Sequence, residues 1–415
     1  MSADPSRSGT TGLASFRHRD FTLLIVGKLL GWVALHMTLF AIQFQVYDMT
    51  GEVENLAYIG LASFAPAIGF ALFTGYVADL FDRRLVIAVC YAIVFVATAL
   101  LFWYTRSGFT AVWPIFVILL FEGTGRAFHQ PAISSLIPNI VPPETFPNAV
   151  AWHSTVNKVC QVAGPAVGGI VYNFFGPDVV YGAGCIMLVL GTVTTMMIRT
   201  RTNRGERQPT TLTTLLAGLR YVYAKKVIFG AITLDLFVVL LGGVTALFPV
   251  FAKDILHVGA DGAGFLRAAI AAGALVSGLA LTQMNLNRNV GHTMFATVLI
   301  FGAATIVFGF SEIYALSLIA MAVLGAADMV SVNIRGTLIQ LWTPDELRGR
   351  VNAVNQVFIG ASNEIGGFRA GTMAAFVGPV AAGALGAGGT LAVAGLWMRA
   401  FPGLVRVRDL TRGRG

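Results

Sequence analysis

Charge is scarce in this chain of 415 residues, of which 12% are Asp, Glu, Lys or Arg and 56% are hydrophobic. A soluble domain carries about 25% charged residues, so roughly half of the usual solvating charge is absent. At this length a soluble chain would divide into two or three domains, each needing a polar surface that this composition does not supply. Cysteine is scarcer still. Cys90, Cys160 and Cys185 fall inside apolar runs and form no CxxC pair, so no disulfide framework and no cysteine metal centre is expected. The 15 prolines are scattered and the 47 glycines show no triplet period, which excludes a collagen-like chain. The sequence has no Walker-type phosphate loop and no soluble nucleotide domain, so ATP hydrolysis has no seat and no cofactor or enzymatic centre is expected.

What the chain does have is long apolar runs, with a mean hydropathy of +0.75. In lipid, backbone polar groups can be satisfied only by helices or a closed barrel. Runs of about 20 residues favour helices over the alternating ten-residue segments of a barrel. Breaks at Gly, Pro and charge clusters predict twelve spans, near 22–47, 55–78, 85–105, 112–134, 148–172, 178–198, 227–252, 260–283, 291–311, 313–337, 350–376 and 379–399. No small-residue cleavage site follows the first run, so a removed signal peptide is not expected. With both termini placed inside, the inner segments hold 20 of the 28 Lys and Arg and the outer loops only Arg106 and Lys253. That asymmetry is a strong positive-inside signal. It assigns the net charge of +8 to topology, not to nucleic acid, and predicts a multi-pass inner-membrane protein with cytoplasmic termini.

The basic stretch from Arg199 to Lys226 interrupts the apolar rhythm and contains an amphipathic piece, Leu212 to Tyr223, which reads as a helix lying on anionic headgroups. It divides the chain into residues 1–198, a linker 199–226, and residues 227–415. The two halves echo each other. SSLIPNIVPPETFPNAVA, from Ser134, aligns with GTLIQLWTPDELRGRVNA, from Gly336, at an offset of 202 residues. The same offset brings Gly123 onto Gly325 and Gly164 onto Gly366. Repeated halves related by a pseudo-twofold axis suit a secondary transporter, with a small-molecule substrate held between them near mid-membrane.

After the second span comes GYVADLFDRR, containing Gly75, Asp79, Asp82, Arg83 and Arg84. It resembles the helix 2–3 loop signature of the major facilitator superfamily, although Leu80 and Asp82 stand where that family often has Arg and Gly. The resemblance implies twelve transmembrane helices in two six-helix bundles, an all-α membrane fold. It also implies that Asp79 latches the halves on the cytoplasmic side, against the start of span eleven near Asp345 to Arg350. Span five carries GPAVGG, with Gly164, Pro165, Gly168 and Gly169. This looks like a motif common among exporters of the superfamily; in physical terms it predicts a kink and tight helix packing. The phrases FRHRDFTLL, QVYDMTG and GAADMVSVNIRGTLIQLWTPDELRGRVNAVNQV extend the resemblance over nearly the whole chain, towards the branch that includes enterobactin exporters and related efflux proteins. The Arg that many proton-coupled exporters carry early in span four has no counterpart near Ile118, so that coupling scheme does not transfer.

Ionisable groups at mid-membrane cost about 2.5–3.5 kcal/mol each on insertion scales, so each one asks for a reason. The spans hold Lys28, Arg126, Lys158, Arg267, Arg335 and Arg369, with Glu122, Asp235, Asp328 and Glu364. Lys28, Arg267 and Arg335 lie towards span ends, where snorkelling would suffice. Glu122 and Arg126 are spaced to pair along one helix face. Arg126 and Asp328 occupy equivalent positions with opposite charges and could share one polar network at the central cavity. Asp235 has wholly apolar flanks, and an unpaired Asp there could carry a proton during a transport cycle. Glu364 and Arg369 are too far round their helix for an ideal pair and are expected to reach different neighbours. His36, His129 and His153 lack metal-ligand spacing and read as polar core residues. The expected function is proton-coupled export of a siderophore, drug or other amphiphile by a monomer in the lipid bilayer. An uptake symporter, a lipid flippase and a non-transporting membrane sensor or scaffold are the alternatives.

Overall fold

A computed structural model describes residues 13–200, 212–283 and 289–409, without the side chains of residues 71–72, 75–76, 78–79, 212–217, 282–283 and 345–346. The first bundle comprises α1 (Arg19–Thr50), α2 (Glu54–Leu80), α3 (Arg83–Arg106), α4 (Trp113–Ile140), α5 (Phe146–Phe175) and α6 (Pro177–Met196). The linker contributes α7 (Leu212–Ala224). The second bundle comprises α8 (Lys226–Gly242), α9 (Ala260–Gln283), α10 (Val290–Phe310), α11 (Tyr314–Trp342), α12 (Asp345–Val377) and α13 (Pro379–Ala400). Among the described residues, 8 helices are long and apolar enough to cross a membrane by length and composition, the stretch Lys226–Ile255 being one of them. α2, α4, α5 and α12 are as long but are not in that set. α4 and α5 carry internal prolines and polar residues, and α12 is rich in Asn, Arg and Glu, so their apolar windows are diluted.

Local chemistry sets the helix ends. Gly51 takes a left-handed φ of 65° and its N–H returns to Tyr47, closing α1 where a side chain would be strained. Two further turns show the internal repeat in the backbone. Gly176, at φ 85°, precedes Pro177 at the start of α6, and Gly378, at φ 86°, precedes Pro379 at the start of α13. Each glycine takes the conformation that L-residues avoid, and each proline fills a first-turn site whose N–H would have no partner. The repeated glycines also make equivalent contacts. Gly123 of α4 meets the Ser63 carbonyl of α2, and Gly325 of α11 meets the Ile270 carbonyl of α9. Gly164 of α5 lies on His36 and Met37 of α1, and Gly366 of α12 lies on Val239 and Leu240 of α8. Lipid tails give helices no hydrophobic reason to associate, so close approach at small residues supplies the packing.

The described part of α7 docks on the second bundle. Gly218 sits against the Arg350 backbone, the Tyr221 hydroxyl donates to the Trp342 carbonyl at 2.9 Å, and Val222 is buried among Ile228, Ile232, Ile339, Val351 and Val354. The start of the chain plays a matching part on the first bundle. Ser15 donates through its N–H to Asn148 and through its hydroxyl to the Thr145 carbonyl, at the turn between α4 and α5. These features define a linker end of the molecule; the opposite, far end holds the α1–α2 turn.

Two helix pairs join the bundles, α2 with α12 and α5 with α9. Gly371 packs on Ala57, Gly264 on the Pro165 carbonyl, and Gly169 on the backbone of Ala260. The exporter-like motif of α5 thus serves two interfaces: Gly164 and Gly168 face α1, while Gly169 and the Pro165 carbonyl face α9. The helix runs unbroken from Phe146 to Phe175 through Pro165.

Candidate functional site

The polar contacts that join the bundles run from mid-depth to the far end. There Tyr47 donates to Asp254 and Lys253 pairs with Asp48 at 2.5 Å across the bundles, while within the first bundle the Tyr172 hydroxyl donates to the same Asp48 at 2.9 Å. Beneath them Phe40 and Phe44 of α1 close on Ala252, Ala260 and Ala263. Towards the linker end the bundles diverge. Gly360 of α12 still packs on Phe64 of α2, but one turn further Ile68 and Val357 are 60% and 55% exposed. The contacts between the bundles therefore thin out towards the linker end and seal the far end. The sealing residues went unassigned in the sequence, where Lys253 counted only as an outer-loop charge. Their signal was a Tyr-Asp pair at the end of α1 facing a Lys-Asp pair in outer loops otherwise almost free of Lys and Arg.

The intramembrane charges fall into three groups. In the first, at mid-depth, Arg126 of α4 reaches Glu364 of α12 at 3.4 Å and donates to the Ser63 carbonyl at 3.1 Å. Their side chains are 22% and 29% exposed, so this inter-bundle pair is only partly buried. Arg126 therefore turns away from Glu122, so the expected pair within α4 does not form. Glu122 is buried, and neither of its carboxyl oxygens has a hydrogen-bond partner. Arg267 of α9 donates to Gln43 of α1 at 3.0 Å, again across the bundles, instead of snorkelling.

The second group lies in the second bundle. Asp235 of α8 and Arg335 of α11 form an ion pair with side chains only 10% and 3% exposed. Two expectations are corrected at once: Asp235 is not unpaired, and Arg335 does not snorkel. Asp328, two turns before Arg335 on α11, interacts electrostatically with Asp235, Arg335 and Lys158. Arg126 and Asp328 thus belong to separate clusters, not to one network. Arg369 has a different task. Its Nε and Nη2 donate to the Leu240 and Leu241 carbonyls at 2.9 and 2.5 Å, where α8 ends at Gly242. A cation at a helix C-terminus satisfies carbonyls that have lost their helical donors and complements the dipole. This makes Arg369 a cap on α8, and Glu364 and Arg369 do have different neighbours.

The third group is internal to the first bundle. Lys28 is 1% exposed; its ammonium donates to the His153 carbonyl at 3.1 Å and lies 3.1 Å from Nδ1 of the same residue. It is a buried tie between α1 and α5, which replaces the snorkelling expected for it. Trp32 donates to Nδ1 of His129 at 3.0 Å. Beside them a small cavity lined by Gly31, Tyr91, Arg126 and His129 has about 20 Å³ of free space, enough for one water. No group of His, Cys, Asp and Glu among the described residues could hold a metal ion.

The helix 2–3 loop divides between described and undescribed parts. Gly75 and the Asp79 side chain lie outside the described residues, so the latch expected at Asp79 stands as a proposal. Asp82 caps α3 by accepting from the Arg84 N–H at 3.2 Å, and also pairs with the Arg84 Nε at 3.1 Å. Arg84 reaches the Ile198 carbonyl at 2.7 Å, so this part of the motif ties α3 to the end of α6 within one bundle. Arg83 is 7% exposed at the start of the same helix.

Comparison with known proteins now places the chain. The family model described as transmembrane secretion effector matches residues 10–408. Enterobactin exporter EntS from Escherichia coli O81 is 24% identical over 396 residues, covering 94% of both chains. Macrolide efflux protein A from Streptococcus pyogenes is 22% identical over 268 residues; the match spans 63% of this chain and 65% of that protein. Among solved structures, a bacterial homologue of the human lysosomal transporter Spinster aligns with TM-score 0.70 at 16% identity, covering 95% of this chain and 97% of the other. A D-xylose-proton symporter aligns with TM-score 0.70 at 14% identity, covering 95% and 99%. These likenesses establish the fold. The chain belongs to the transmembrane secretion effector family of the major facilitator superfamily, and is a multi-pass membrane transporter rather than an enzyme.

Proposed function

We propose that this transporter exports a small amphiphilic organic molecule by alternating access, with its linker end and both termini on the cytoplasmic side of a bacterial inner membrane. The observation that carries the reading is the uneven contact between the bundles, sealed by Tyr47, Asp48, Tyr172, Lys253 and Asp254 at one end and joined by charge at mid-depth, which we read as a cleft opening towards the linker end. Rocking the bundles about such a site exposes it to each side in turn. The excess of Lys and Arg in the segments at the linker end supports the orientation. Outward movement draws support from the two relatives, whose names denote export of enterobactin and efflux of macrolides. Both are bulky amphiphiles, a class suited to a cleft of mixed apolar and charged walls.

Proton coupling is part of the proposal, and it moves from Asp235 to Glu122. Asp235 is neutralised by Arg335, whereas Glu122 is a buried carboxyl without a donor, one turn from an Arg already engaged by Glu364. Inverted membrane vesicles with an acidic interior, read by a pH-sensitive dye, test the scheme against catecholate siderophores, macrolides, hydrophobic cations and small oxyanions. The expected result is that one class collapses the gradient only when the transporter is present, and that Glu122→Gln abolishes the collapse. A gradient untouched by the whole panel would count against proton-coupled export and favour uptake or flipping.

A further inference from the structure

The internal repeat relates α4 to α11 and α5 to α12, so a contact between α4 and α12 has a symmetry mate between α11 and α5. Arg126 on α4 and Glu364 on α12 make the first contact, at 3.4 Å. The mate of Arg126 is Asp328 on α11, of opposite charge. The mate of Glu364 is Val162 on α5, and one turn before Val162 stands Lys158, again of opposite charge. The repeat has thus placed opposite charges in both places while exchanging their signs, with the Lys set one turn nearer the linker end. Lys158 is exposed and forms no hydrogen bond or ion pair among the described residues, yet it lies within electrostatic reach of Asp328 across the cleft.

We infer that Lys158 and Asp328 form a second inter-bundle ion pair, which is made when the linker end closes and is broken in the cleft-open state described here. The inference rests on the alternating-access reading and specifies one contact of the opposite state. Its geometry follows from the one-turn offset. Arg126 and Glu364 meet at mid-depth while the far end is sealed, whereas a Lys one turn closer to the linker end is carried away from α11 as the cleft opens. The nearby Asp235 is already engaged by Arg335, so Asp328 is the carboxylate left for Lys158. Closing the cleft would give both groups a partner as they lose water, and so would stabilise the state that opens the far end.

The test uses the full chain with Cys90, Cys160 and Cys185 replaced by Ala and a single reporter, Ala260→Cys. Ala260 is 1% exposed between the bundles at the far end, so a membrane-impermeant maleimide added to that side reacts only when the far end opens. Lys158→Asp or Asp328→Lys alone should lower the labelling rate about fivefold, the population change of an ion pair worth ~1 kcal/mol. The exchange Lys158→Asp/Asp328→Lys should restore it. The milder Lys158→Gln and Asp328→Asn, together with gel filtration in detergent, separate this effect from misfolding. Single variants that label like the parent, or an exchange no better than the worse single, would overturn the pair. A parent reporter that never labels would show that the far end does not open, and alternating access itself would fall.

Discussion

Asp235→Leu is expected to destabilise the second bundle by about 3–5 kcal/mol, because it leaves the Arg335 guanidinium charged, buried and without its carboxylate. The side chains of this pair are 10% and 3% exposed, so water cannot take over as the missing partner. The double variant Asp235→Leu/Arg335→Leu should recover most of that loss, since two apolar groups of similar size carry no desolvation penalty. Half-loss temperatures of detergent-solubilised protein, taken around the full cycle of both singles and the double, measure the coupling. The pair is structurally idle if Asp235→Leu melts with the parent protein. If the double is no more stable than the worse single, each residue is held by other neighbours and the pairing adds nothing. A stable double variant would also free the question of transport from that of folding, because any remaining defect would belong to Asp328 and its electrostatic neighbourhood.

The sequence made the fold legible through features that depend on position along the chain. Apolar length, the loop bias in Lys and Arg and the 202-residue echo all survive without knowledge of how any helix is rotated. The echo in particular reappears in three dimensions at Gly123 and Gly325, and at Gly164 and Gly366, where equivalent helices touch. Partners of the charged residues were far less legible. The spacing of Glu122 and Arg126 offers a pair within one helix, but Arg126 gains Glu364 and the Ser63 carbonyl from two other helices. Asp235 looked isolated because its own helix is apolar around it, and its partner lies on α11, about 100 residues away in sequence. Lys28 and Arg267 sit near span ends by count, yet each is engaged by another helix, Lys28 by His153 of α5 and Arg267 by Gln43 of α1. Rotation about the helix axis decides each of these cases, and hydropathy carries little information about rotation when a helix is apolar on nearly every side.

The largest steric effect is expected at Gly325. A Cβ built there would overlap the Ile270 carbonyl of α9, and a Cβ on Gly273 of α9 would overlap the Ala322 carbonyl of α11, so the two backbones touch from both sides. Neither obstacle is a flexible side chain that could swing away. Gly325→Leu must therefore push α9 from α11, and with no hydrophobic effect between helices in lipid, the lost packing is not recovered elsewhere. Overpacking alone typically costs about 1–3 kcal/mol, and opening the helix contact adds to it, so the variant should fail to accumulate as monodisperse protein. Gly325→Ala should fold with a lowered half-loss temperature. At Gly336, on the same helix, an added Cβ would meet nothing within 4 Å, and Gly336→Ala should match or exceed the parent because Ala favours helix. Equal yields and melting temperatures for Gly325→Leu and Gly336→Ala would show that α9 and α11 tolerate separation. The contact matters beyond stability. If the second bundle is to rock as one body, α9, which joins α5 of the first bundle, must carry α11 and its Asp328 with it, and the Gly325–Gly273 seam is what makes those two helices move together.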